Sequence, residues 1–160
     1  MSVDCLAAYS ETPELCFLAP YMQAYIQTPF FMFNSKYDAW QIREILEVPC
    51  FDAWATHSNC SASDQAAILQ YGADFMSNFD GEGTGVPVEG HGRNGAFVTS
   101  CIMHGALMCD ADISINNLTA LAAYARWFDG RTQGVASFHI DPGLPNGGGT
   151  YPRTQCFHFP

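Results

Sequence analysis

Residues 28–42 read TPFFMFNSKYDAWQI. An apolar run, Phe30 to Phe33, follows Pro29 and gives way to Asn34-Ser35-Lys36-Tyr37-Asp38, after which apolar residues return at helical spacing. A short continuous apolar run suits a strand buried on both faces, as in a parallel sheet. Ala39 to Leu46 then reads as a helix, with Trp40, Ile42, Ile45 and Leu46 on one stripe. The stretch therefore predicts a buried strand whose carboxyl end runs into an acid, Asp38. In open α/β sheets, function gathers at that place, on the loops beyond strand ends.

The pattern recurs further on. Ser61-Ala62-Ser63-Asp64 offers helix caps ahead of Ala66 to Phe79, where Ile68, Leu69, Phe75 and Met76 fall at helical spacing. The segment from Phe79 to Gly95 is rich in glycine and reads as loop or tight turns. Ala96 to Met103 is a second strand candidate that runs into His104. Leu118 to Phe128 reads as a helix stopped by Asp129-Gly130, and the tail from Asp141 to Pro160 as irregular. Before all of these, residues 1–27 hold a cysteine-closed loop and a short amphipathic segment, Leu18 to Ile26. Strand, helix, helix, strand, helix is an α/β order, in a chain of 160 residues that suits one domain.

Composition removes several classes. Apolar residues make up 48% and aromatics 14%, which excludes a disordered or purely solvating chain. Six Lys and Arg stand against sixteen Asp and Glu, a net charge of −10, so nothing basic meets nucleic acid or an anionic membrane. No stretch reaches the eighteen apolar residues of a membrane span. The acids Asp80, Glu82 and Glu89 miss the calcium-loop register, GEGTG is no phosphate loop, and no cofactor or metal is expected. His57, His91, His139 and His158 are scattered and read as surface or loop residues; Trp40 and Trp127 read as core, while Trp54 and Tyr71 are left open between core and surface.

Seven cysteines occur at positions 5, 16, 50, 60, 101, 109 and 156, without a C-x-x-C or zinc-finger spacing. Pairs such as Cys5/Cys16 and Cys50/Cys60 would close short loops as disulfides do in secreted proteins; buried free thiols are the alternative. The sequons Asn59-Cys60-Ser61 and Asn117-Leu118-Thr119 agree with secretion. The first residues, MSVDCLAAYSETPELC, have neither the basic nor the apolar region of a signal peptide. Together these features lead to the expectation of a secreted or cell-wall protein whose beginning lies before Met1.

Asp38 lies just past one strand end and His104 just past another, 66 residues later. A carboxylate there can accept the imidazole Nδ1–H, hold the tautomer and stabilise the imidazolium formed in general-base work. The order acid, then histidine, is that of α/β-hydrolase triads. The plainer readings are a helix cap for Asp38 and a satisfied strand-end histidine for His104.

At these residues the chain resembles a known family. Phe30 to Ile42 is similar to the segment of the pectin acetylesterase/Notum family in which a strand ends in Asn-x-x-Tyr-Asp-x-Trp-Gln. Gly95 to His104 resembles the family's Phe-x-x-Ser-Cys-x-x-His segment. Cys60-Ser61-Ala62-Ser63-Asp64-Gln65 with its helix, and the early Cys5 and Cys16, also match in order, so the likeness runs through most of residues 5–130. The resemblance implies an α/β-hydrolase-like fold with a mostly parallel sheet flanked by helices, here its C-terminal part with a disulfide-rich irregular tail. It also implies removal of acyl groups from oxygen esters, with Asp38 as triad acid and His104 as triad base. Members act on acetylated pectin in plants and microbes, and on a fatty-acylated protein in animals.

The departures are equally specific. No Gly-x-Ser-x-Gly elbow occurs, nor an oxyanion loop of Gly-Gly type, and Ser10, Ser35, Ser58, Ser61, Ser63, Ser77, Ser100, Ser114 and Ser137 all lack flanking glycines. His104 is followed by Gly105, where plant relatives usually place a Cys. Residues 1–160 are therefore expected to form a single, incomplete domain that requires upstream chain, with its tail from about 141. The expected function is the C-terminal portion of a serine carboxylesterase acting on acetylated pectin, a similar polysaccharide or another acyl ester. The alternatives are a non-catalytic secreted binding protein on the same scaffold and a Notum-like deacylase of an acylated protein.

Overall fold

The structure, a computed structural model, describes residues 2–48, 50, 60–77, 94–104, 113–130 and 137–143. In chain order its elements are helix α1 (Val3–Ala8), a 3-10 turn (Pro13–Phe17), α2 (Ala19–Met22), a second 3-10 turn (Gln23–Tyr25), strand β1 (Phe31–Asp38), α3 (Ala39–Glu44) and α4 (Ala62–Ser77). There follow β2 (Gly95–Met103), β3 (Ser114–Ile115), β4 (Leu118–Thr119), α5 (Ala120–Gly130) and β5 (Ser137–Ile140). β1, β2 and β5 form a parallel sheet in that order. β3 and β4 form a separate two-residue hairpin.

Both faces of the sheet are covered, as parallel pairing demands. On one face Tyr37, Ala39, Ile42, Val48, Ile68 and Ile102 form a buried cluster beneath α3 and α4. Ala96 and Val98 continue that layer against Phe75 and Met76 of α4. On the other face Phe97 and Cys101 pack with Ile113, Ile115, Ala120 and Ala123, joined by the half-buried Phe31 and Phe33. The apolar run of β1 thus splits by alternation, with Met32 towards α4 and Phe31 and Phe33 towards α5.

β1 does not stop where its apolar run stops. It continues through Asn34 to Asp38, and Ser35, Lys36, Tyr37 and Asp38 are all buried. Polar groups are tolerated there because they are satisfied: the Ser35 hydroxyl donates to the Cys101 carbonyl, and the Lys36 ammonium reaches the Asp141 carbonyl at 3.1 Å. Burial pulls the Lys36 pKa below its ordinary value, with the nearby Asp141 charge opposing.

Local signals set the helix starts. Ser61 and Asp64 exchange hydrogen bonds, Asp64 N–H to Ser61 Oγ at 3.2 Å and Ser61 N–H to an Asp64 carboxylate oxygen at 3.1 Å, a reciprocal capping box for α4. α5 begins two residues later than its periodicity predicts, because Leu118 and Thr119 pair in the hairpin and Thr119 Oγ1 then accepts the Ala122 N–H at 3.2 Å. It also runs on through Asp129-Gly130. The hairpin turn is Asn116-Asn117, both with positive φ (51° and 63°), a pattern asparagine accepts more readily than most residues. The sequon at Asn117 is exposed in that turn; the one at Asn59 lies outside the described residues.

Several expectations are corrected. The α3 stripe is not a core face: only Ile42 is buried, and Trp40, Ile45 and Leu46 are exposed, because the helix makes barely two turns over the sheet edge. Leu69 of α4 is likewise exposed. His139 is no loop residue but lies on β5, half-buried near the Phe97 ring, where desolvation and then Arg126 lower its pKa. The disulfides Cys5–Cys16 and Cys50–Cys60 are both formed, and Cys101 is disulfide-bonded as well. The glycine-rich loop with its acids, His57, His91, His158, Trp54 and the tail beyond residue 143 lie outside the described residues.

Gly72 of α4 packs directly against the sheet, and a Cβ there would run into the Tyr37 ring, which is itself buried. Gly72→Ala is therefore expected to lower unfolding free energy by about 1–3 kcal/mol, the scale of core overpacking, as measured by urea denaturation. An unchanged midpoint would show that α4 does not pack this closely.

Candidate active site

Asp38 ends β1 and also starts α3. One carboxylate serves both elements: Oδ1 accepts the Gln41 N–H at 2.9 Å, and Oδ2 lies 3.0 Å from His104 Nδ1, with Oδ1 at 3.2 Å. The helix-cap reading and the histidine-partner reading are therefore compatible. Parallel pairing makes this meeting natural, since it brings the carboxyl ends of β1 and β2 to the same edge of the sheet. Asp38 faces Met103 in the register, and His104 is the next residue.

The two side chains sit in contrasting surroundings. The Asp38 side chain is 6% exposed and that of His104 63%. An ionised carboxylate only accepts, so the proton between them belongs to Nδ1. That places the basic lone pair of the neutral imidazole on Nε2, the tautomer that general-base work requires. Trp40, the second residue of α3, lies with its ring centroid 6.1 Å from that of His104 and is 51% exposed. The expectation that it belongs to the core is thus overturned. It is an open aromatic surface beside the histidine.

Tyr71 of α4 packs against the cluster under Asp38. Its hydroxyl is buried and has no hydrogen-bond partner among the described residues. Burial first, and the Asp38 charge second, push the phenol pKa up to about 12. It therefore stays protonated and neutral at physiological pH.

The serines near the strand ends do not join the pair. Ser35 and Ser100 are buried within strands, and their hydroxyls are committed to the Cys101 carbonyl and the Asp141 carboxylate. Neither occupies the exposed strand-to-helix turn of an elbow nucleophile. The residue that sequence reasoning missed is Asp141, assigned to an irregular tail yet 1% exposed. Its signal was indirect: Lys36 within a buried strand and adjacent hydroxyls at Thr99-Ser100 demand partners that an apolar core does not supply. Among the described residues no group of three His, Cys, Asp or Glu side chains is arranged to hold a metal ion, and no helix is long and apolar enough to cross a membrane.

The pectinacetylesterase family model matches residues 2–148. The chain belongs to that family. Among curated relatives, pectin acetylesterase 11 of Arabidopsis thaliana is 30% identical over 102 residues, covering 59% of this chain and 25% of the relative. Pectin acetylesterase 7 of the same plant is 26% identical over 133 residues, covering 75% and 32%. The chain thus spans about a quarter to a third of the length of the curated relatives it matches. Among solved structures, the Wnt deacylase Notum from Drosophila superposes with a TM-score of 0.66 at 20% identity, over 89% of this chain and 36% of that one. A second crystal form gives 0.67 at 19% identity, over 93% and 38%. At that identity the likeness establishes the fold, an α/β-hydrolase type with a parallel sheet between helices, as the resemblance implied.

Removing a buried hydroxyl that lacks a partner relieves a desolvation penalty. Tyr71→Phe is accordingly expected to leave stability unchanged or to raise it by up to about 1 kcal/mol, measured by urea denaturation. A loss larger than that would mean the hydroxyl has a partner in solution.

Proposed function

We propose that this chain is the acid–histidine portion of a serine carboxylesterase that removes O-acetyl groups from pectin or a similar acetylated polysaccharide. The observation that carries this reading is the Asp38–His104 hydrogen bond at the carboxyl edge of a parallel sheet, in a chain of the pectinacetylesterase family. In this reading residues 1–160 are part of one α/β-hydrolase-like domain. Polypeptide outside them supplies the serine and the oxyanion donors, since no Gly-x-Ser-x-Gly occurs in the sequence.

The chemistry follows from the pair. His104 Nε2 takes the serine proton as the serine oxygen attacks the ester carbonyl carbon, and Asp38 stabilises the imidazolium through Nδ1–H. Collapse of the tetrahedral intermediate breaks the bond to the sugar oxygen, which leaves with the proton from His104. The acetyl group then stays on the serine. Water, deprotonated by the same nitrogen, releases acetate and restores the serine. Trp40 favours a polysaccharide as the alcohol side, because an exposed indole beside His104 offers a flat apolar surface to the CH face of a sugar ring. The five disulfide-bonded cysteines among the described residues and the exposed sequon at Asn117 suit an extracellular or cell-wall setting.

The test is acetate release from acetylated pectin, and hydrolysis of p-nitrophenyl acetate, by the polypeptide that joins this chain to an upstream Gly-x-Ser-x-Gly elbow. His104→Ala and Asp38→Asn should each lower kcat by about 10³–10⁴-fold or more, while the 160-residue chain alone shows no His104-dependent turnover. Retention of most activity in His104→Ala would contradict the assignment. Turnover by the chain alone that His104→Ala abolishes would place a nucleophile within these residues.

A further inference from the structure

β1 and β2 run in step from Phe31, opposite Gly95, to Ser35, opposite Thr99, but Tyr37 pairs with Ile102. Lys36 alone therefore faces two residues, Ser100 and Cys101. The shift also re-aims β1: Phe31 and Phe33 face α5, yet Tyr37 packs with Ile68 and Ile102 on the α4 side. An extra residue in a ladder leaves backbone groups without their regular partners, and buried orphans of that kind are costly. Here side chains replace the ladder. The Cys101 N–H donates to Thr99 Oγ1 at 3.0 Å, and the Cys101 carbonyl accepts from the Ser35 hydroxyl. That hydroxyl oxygen in turn accepts the Tyr37 N–H at 2.9 Å. The Ser100 N–H donates to Asp141 Oδ2 at 3.1 Å, and the Ser100 hydroxyl donates to the same oxygen.

Asp141 joins all three strands of the sheet. Its N–H donates to the Val98 carbonyl at 2.9 Å, its Oδ1 accepts the Gly143 N–H at 2.8 Å, and its carbonyl accepts the Lys36 ammonium at 3.1 Å. The shift it secures has a direct consequence at the site. In an unshifted register Asp38 would face Ile102, with His104 two residues further on; as built, Asp38 faces Met103 and His104 is one residue on. The gain is one strand residue, roughly 3.3 Å, and the observed Nδ1–Oδ2 separation of 3.0 Å leaves no room for such a slip.

We infer that Asp141 is a positioning residue for the Asp38–His104 pair, a buried carboxylate that holds the extra residue in β2 and so sets the register that brings acid and imidazole together. Its catalytic consequence rests on the function proposed above, but its geometry can be tested without turnover. The test is proton NMR of the polypeptide that joins this chain to an upstream Gly-x-Ser-x-Gly elbow, following the low-field Nδ1–H resonance of His104, assigned by its loss in His104→Gln, together with the melting temperature. Asp141→Ala should remove the resonance in a chain that still folds. Ala123→Gly, which weakens the α5 packing away from Asp141, should keep it. Should Asp141→Ala fail to fold, Asp141→Asn decides: its single amide oxygen faces two Ser100 donors, and the resonance should exchange with water about tenfold faster, the scale of one hydrogen bond. An unchanged resonance in a folded Asp141→Ala or Asp141→Asn, or no such resonance in the unsubstituted chain, overturns the inference.

Discussion

The pairing of β1 with β2 and its one-residue shift are what the rest of this structure depends on. A parallel pair brings two carboxyl ends to one edge, and the shift decides which residues meet there. Asp38 then lies within 3.0 Å of His104. The two faces of the pair are sealed by α4 and α5, so the polar residues of β1 and β2 are cut off from water and must find protein partners. The network of Ser35, Lys36, Thr99, Ser100 and Asp141 is the result.

That network is a matter of specificity more than of stability. A buried ammonium near a buried carboxylate costs desolvation that mutual attraction offsets only in good geometry. The lowered pKa of Lys36 carries the same message, since burial outweighs the Asp141 charge. What such a cluster does supply is a unique register, because any slip would leave several of these groups unpaired at once. Asp38 likewise serves two partners at the carboxyl edge of the sheet: one carboxylate caps α3 and orients an imidazole, so helix start and histidine are fixed relative to each other.

Much of this was legible in the sequence, and the rest failed for identifiable reasons. The strand from Phe31 and the strand into His104 followed from apolar runs, and the α4 cap from Ser61 and Asp64. Both local disulfides were among the pairings that cysteine spacing offered, with free thiols as the alternative. β1 was cut short because Asn34 to Asp38 look like an exposed end, whereas long-range hydrogen bonds make them tolerable inside. The α3 stripe misled because periodicity says which residues share a face, not whether anything covers it; Trp40 is open beside His104 instead. Asp141 was hidden by its glycine- and proline-rich surroundings, since nothing local announces a carboxylate whose partners lie 41 residues away on β2.

Asp38 holds His104 with its proton on Nδ1 and its basic lone pair on Nε2. The most direct measurement is the pair of imidazole 15N chemical shifts of His104 at neutral pH, in the unsubstituted chain and in Asp38→Asn. A proton-bearing Nδ1 and an unprotonated Nε2 that lose this distinction in Asp38→Asn are the predicted result. A His104 that is protonated on Nε2, or indifferent to Asp38→Asn, would contradict the account.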